Sequence, residues 1–72
     1  MKLPELLKAQ NLHPFRPFRL ALTTGEMIEI SRPEDIHVDT KRKRVVTFDD
    51  EGVAVFEPQT IGSLKTLHTA AP

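Results

Sequence analysis

Phe18-Arg19-Leu20-Ala21-Leu22-Thr23-Thr24-Gly25-Glu26-Met27-Ile28-Glu29-Ile30-Ser31 is the stretch that decides the fold. Phe18, Leu20 and Leu22 alternate with Arg19, Ala21 and Thr23, and Ile28 and Ile30 alternate with Met27 and Glu29. A period of two places each set on one face of a pleated strand, so both segments read as half-buried strands. Thr24-Gly25-Glu26 supplies the turn between them.

The pattern continues downstream. Arg32-Pro33-Glu34 interrupts it, because proline enters a sheet only at an edge, a start or a bulge. Ile36 and Val38 then resume the alternation, and Asp39-Thr40-Lys41-Arg42 is a polar turn. From Arg44 to Asp49, Val46 and Phe48 share one face and Val45 and Thr47 the other. Asp50-Glu51-Gly52 closes a hairpin, after which Val53 and Val55 alternate with Ala54 and Phe56. Glu57-Pro58-Gln59-Thr60 breaks the run as a single helical turn. The predicted strands cover 17–23, 26–31, 35–39, 43–49 and 52–57, with a short final strand at 61–67.

Upstream, residues 4–10 predict a short helix. Pro4 suits a first helical position, and Glu5 and Lys8 sit at the ends that suit the helix dipole. Leu3, Leu6, Leu7 and Gln10 fall on one side, and Asn11 reads as a left-handed C-cap with Leu12 as its apolar contact. So short a helix must dock on something to persist. His13-Pro14-Phe15-Arg16-Pro17 reads as an extended connector, and Thr69-Ala70-Ala71-Pro72 as a frayed terminus. Strands of about five residues between tight turns predict a mainly β fold. The expected architecture is a small, strongly bent five-stranded barrel with the helix capping one open end.

Seventy-two residues allow one domain with a small core. Chains of this size commonly need a staple. The absence of cysteine excludes disulfides and thiolate zinc sites, and His13, His37 and His68 lack ligand spacing. Tight packing or self-association is left. Ten basic and ten acidic residues cancel, which removes long-range attraction to nucleic acid or anionic membranes. The opening Met-Lys-Leu-Pro-Glu-Leu-Leu-Lys carries no signal-peptide run, and no segment is long and apolar enough to span a membrane. A cysteine-free chain fits the cytoplasm. No cofactor is expected.

Pro14-Phe15-Arg16-Pro17-Phe18-Arg19-Leu20, then Leu22 and Gly25, then Arg32-Pro33-Glu34, resembles a group of short bacterial proteins. They share a Pro-Phe-x-Pro-Phe pattern, a glycine turn and a later Pro-Glu. The hairpin from Val45 to Phe56 extends the resemblance more loosely, to about two thirds of the chain. That group supplies no activity to carry over, and its members often have histidine where this chain has Arg32. The order of elements is also similar to Sm-like and SH3-like small barrels, which implies the five-stranded barrel above. Sm-like RNA binders of the bacterial host-factor type carry Tyr-Lys-His before the last turn. The matching place here is Phe56-Glu57-Pro58, where Glu57 repels phosphate and Pro58 has no N–H. Their RNA-contacting asparagine has no counterpart in Pro33-Glu34-Asp35-Ile36.

Lys41-Arg42-Lys43-Arg44 is the strongest charged feature. Four adjacent cations can grip phosphates, and the plainer reading is a solvated turn that discourages edge-to-edge pairing. Asp49-Asp50-Glu51 lies at the other end of the same predicted strand, so a basic end of one copy can meet an acidic end of another. The plainer reading there is a soluble hairpin tip. Phe15 and Arg16, followed by Phe18 and Arg19, mix rings and cations as single-strand nucleic-acid platforms do, but Phe18 belongs to the core face. Glu34-Asp35, Ser31 and Ser63 lack partners for acid–base or nucleophilic work, and the isolated glycines form no phosphate loop. No catalytic, cofactor or metal residue is nominated. The expected function is a non-enzymatic interaction or oligomerisation module that docks through a strand edge onto itself or another protein. The alternative is Sm-like RNA binding through Phe15, Arg16, Lys41, Arg42, Lys43 and Arg44.

Overall fold

A computed structural model describes residues 2–67; His68 and the terminus read as frayed lie outside the described residues. Helix α1 spans Leu3–Gln10, with Pro4 in its first turn. It buries Leu6 and Ala9, and the Gln10 side-chain amide donates to the carbonyls of Pro33 (3.2 Å) and Ile36 (2.7 Å). Those bonds fasten the helix end beside the start of a strand. Asn11 is not left-handed as expected: its φ is −99°, and its side-chain amide caps the Leu7 carbonyl at 2.9 Å. The same carbonyl also accepts the Asn11 backbone N–H at 3.0 Å, so backbone and side chain together close the last turn with Asn11 at negative φ. The His13–Pro14 peptide in the connector is cis.

Six strands follow, in two three-stranded antiparallel sheets. β1 (Phe18–Leu22) and β2 (Met27–Ile30) form a hairpin around Gly25, whose φ of 97° favours a residue without Cβ. β6 (Ile61–Thr66) lies on the other side of β1, giving the order β2-β1-β6. β3 (Ile36–Asp39), β4 (Arg44–Asp49) and β5 (Gly52–Phe56) form a meander with β4 in the middle. At the β4–β5 tip, Asp49 Oδ1 accepts the N–H groups of Glu51 and Gly52 at 2.8 and 3.0 Å.

The expected five-stranded bent barrel of Sm or SH3 type is therefore corrected: among the described residues the sheets are separate, nothing closes into a barrel, and the strands number six. The physical reason lies at the two junctions between sheets. Barrels of that kind run bent strands continuously from one sheet into the other. Here a 3-10 turn at Pro33–Asp35 separates β2 from β3, and another at Pro58–Thr60 separates β5 from β6. Each begins with a proline, which has no N–H to carry a ladder across the corner.

One hydrophobic cluster joins the parts. Phe18, Leu20, Ile30 and Ile61 come from the first sheet, Ile36, Val38 and Val45 from the second, and Leu6 and Ala9 from the helix. Thr47 is buried beside them on the inner face of β4. The helix survives despite its length because Leu6 is fully buried in this cluster.

Candidate interaction surface

The two sheets differ on their outward faces. On the first, Arg19 stands opposite Glu29 on β2 and Lys65 on β6. Arg19 and Glu29 form an ion pair at 3.3 Å. Charged groups dominate this face, as expected of a sheet side that meets water, and Met27, opposite Ala21 and 66 % exposed, is its one large apolar residue among those described. On the second sheet, Val46 stands opposite His37 and Val55, and Phe48 opposite Val53. These residues share the outer face, because directly opposed residues in a ladder point the same way. Phe48 is 42 % exposed, Val53 62 % and Val55 61 %. His37 flanks this apolar strip and is exposed.

Among the described residues, β5 also forms one margin of its sheet and pairs only with β4. Outer strands usually carry charge or proline to block further pairing. β2 has Glu29, β3 has Asp39 and β6 has Lys65, but Gly52-Val53-Ala54-Val55-Phe56 has neither charge nor proline.

The basic run is organised by its own turn. Asp39 Oδ1 accepts the N–H groups of Lys41 (3.1 Å) and Arg42 (3.0 Å), and Oδ2 accepts from the Arg42 guanidinium at 3.1 Å. These bonds, led by the Arg42 backbone N–H and its side chain, hold the Asp39 carboxyl below its ordinary value of 3.8. Arg44 folds back to donate to the carbonyls of Lys43 (3.2 Å) and Arg42 (3.4 Å). Lys43 takes a φ of 55°, an uncommon conformation for a side chain of its size. Phe15 is half-buried, and its ring lies 5.9 Å from that of Phe18 at a 59° tilt. Arg16 lines a hollow with Leu12, His13, Pro14 and Thr66. Lys43 lines another, with Lys2, Leu3, Pro4, Pro58 and Gln59. The nominated nucleic-acid residues are thus not gathered around one hollow.

A third hollow, of about 310 Å³, has Phe48 as one wall and sets Glu29, Asp35, Asp49 and Asp50 around Arg32. Arg32 pairs with Asp35 at 3.1 Å, and hydrogen bonding to Asp35, then its charge, raises the guanidinium pKa. Among the described residues, no group of three or more His, Asp or Glu side chains is arranged to hold a metal ion, and no helix is long and apolar enough to cross a membrane. Comparison with protein-family models, curated proteins and solved structures finds no match to this chain.

The apolar outer strip was not nominated from the sequence. The signal that points to it is a strand pair with apolar residues on both faces, Val45-Val46 followed by Val53, Val55 and Phe56.

Proposed function

We propose that this chain is a non-enzymatic interaction module of the cytoplasm, docking a protein on the outer face of β3-β4-β5 and the free margin of β5. The observation that carries this reading is the contrast between the two outward faces. One sheet sets the single exposed Met27 among Arg19, Glu29 and Lys65, while the other groups exposed Phe48, Val53 and Val55 around the half-buried Val46. Contiguous apolar surface of this kind marks interaction sites. Strand addition along β5 needs only main-chain groups, and the exposed valines would give it selectivity.

RNA binding through Lys41 to Arg44 with Phe15 and Arg16 has less support. Arg42 is occupied by Asp39, Arg44 by its own turn, and Phe15 by Phe18.

The double substitution Phe48→Thr with Val53→Lys tests the reading. It should keep the far-UV circular dichroism of the parent and weaken its association, read by sedimentation and by faster amide hydrogen exchange along β5. Association and exchange unchanged by the pair of substitutions would refute docking on this face. Binding of short RNA that falls steeply with salt and disappears on neutralising Arg42 and Arg44 would put the alternative in its place.

A further inference from the structure

The hollow beside the helix start measures about 510 Å³, within the roughly 300–1,000 Å³ typical of ligand sites. Leu3, Pro4 and Pro58 give it apolar walls, and Lys2 and Lys43, both exposed, line it as well. The ion pairs among the described residues join Arg19 to Glu29, Arg32 to Asp35 and Arg42 to Asp39, so neither lysine is neutralised by one. A fitting occupant has an apolar body next to carboxylates.

The chain itself displays such an object. At the β4–β5 tip, Phe48 and Val53 face outward as a directly opposed pair, and Asp49, Asp50 and Glu51 follow Phe48 around the turn. Aromatic and aliphatic surface would enter the walls of the hollow, and the carboxylates would meet Lys2 and Lys43. A chain cannot satisfy this by itself. Lys43 precedes β4 and Asp49 ends it, and at about 3.3 Å per residue the strand holds them roughly 20 Å apart. We infer that the occupant is a second copy of this chain, its β4–β5 tip seated in the hollow lined by Lys2, Leu3, Pro4, Lys43 and Pro58. The inference rests on the docking reading above and names its partner. Such a contact joins unlike surfaces, so a pair keeps one free tip and one free hollow, and assembly continues to a ring or a filament.

Two sets of neutralising substitutions test it on the full chain. Lys2→Gln with Lys43→Asn disarms the hollow, and asparagine tolerates the left-handed backbone at 43. Asp49→Asn, Asp50→Asn and Glu51→Gln disarm the tip while leaving an oxygen at 49 for the Glu51 and Gly52 N–H groups. Sedimentation should show the parent growing in mass from micromolar to millimolar concentration at low salt and shrinking in molar salt. Each variant alone should associate about tenfold more weakly. Mixed in equal amounts they should favour a one-to-one pair over larger species, because only one intact tip and one intact hollow remain. A monomeric parent at every concentration would overturn the inference and leave the outer face open to a different protein. Association abolished by Phe48→Thr with Val53→Lys but untouched by the hollow variant would also overturn it, with the docking reading intact.

Discussion

Val45 and Val55 offer a comparison on adjacent strands, one on the inner face of the central strand β4 and the other on the outer face of the edge strand β5. Val45 is fully buried on the inner face of β4, and Val55 is 61 % exposed on the outer face of β5. Replacing either by alanine removes two carbons. At about 0.8 kcal/mol per buried CH₂, plus a cavity contribution, Val45→Ala should cost about 2–3 kcal/mol. At Val55 only about two fifths of the side chain is shielded, so the transfer loss is about 0.6 kcal/mol, and lower β-propensity adds a few tenths. A domain of this length holds about 4–10 kcal/mol in all, so the first substitution removes a large share and the second little. With no tryptophan or tyrosine in the chain, far-UV circular dichroism in urea is the suitable readout. The midpoint should fall by about 2 M for Val45→Ala and by under about 1 M for Val55→Ala. The titrations belong at sub-micromolar concentration, where association adds nothing to stability. Equal losses, or a larger loss at Val55, would reverse the faces of the second sheet and remove the basis for docking there.

Leu6→Ala should destabilise the protein by about 2–5 kcal/mol and reduce the helical signal first, since Leu6 is the fully buried residue of α1; an unchanged urea midpoint would show that the helix is not anchored by it. Asp39 has its carboxyl pKa lowered by the Arg42 backbone and side chain, so it binds protons less readily folded than unfolded. Its stabilising contribution is therefore present above the unfolded value of 3.8 and is lost as pH falls through the lower folded value. Asp39→Asn keeps an oxygen for the Lys41 and Arg42 N–H groups and should flatten that part of the acid-stability profile; an identical profile in the variant would assign the acid sensitivity to other carboxylates.

Some of this structure can be read from residues alone, and the reasons are specific. Phe18 and Leu20 alternate with Arg19 across a ladder that has one wet side, so period two marks both the strand and its inner face. On β4 the same rule names two faces without ranking them. Val46 with Phe48 is the more apolar pair, yet Val45 with Thr47 is the pair that goes inside. The choice follows from which face the helix and the first sheet cover, and that is tertiary information. Strand count and sheet partition fail for a related reason, because alternation says nothing about a strand's neighbours. Pro33 and Pro58 carried the missing signal, since a residue without N–H at each corner stops a continuous bent ladder. Asn11 shows the same limit locally: its backbone N–H and its side-chain amide both donate to the Leu7 carbonyl, and this ending at negative φ is one that residue type alone does not announce. For the candidate site, the charged run at 41–44 stood out in the sequence, whereas the apolar strip stayed hidden inside two ordinary-looking strands.

β6 pairs with β1 although residues 23–60 lie between them, while every other ladder joins sequence neighbours. Bringing those distant segments together costs about 2 kcal/mol more chain entropy than turning the tight β1–β2 corner. Contact order therefore predicts that the meander from Ile36 to Phe56 assembles from local hairpins before Ile61–Thr66 arrives. On the ribosome, β1 emerges well before the strand that completes it. Through that interval the unpaired edge of β1 is open to the sixth strand of a neighbouring chain, so strand exchange between chains is the misfolding route this topology predicts.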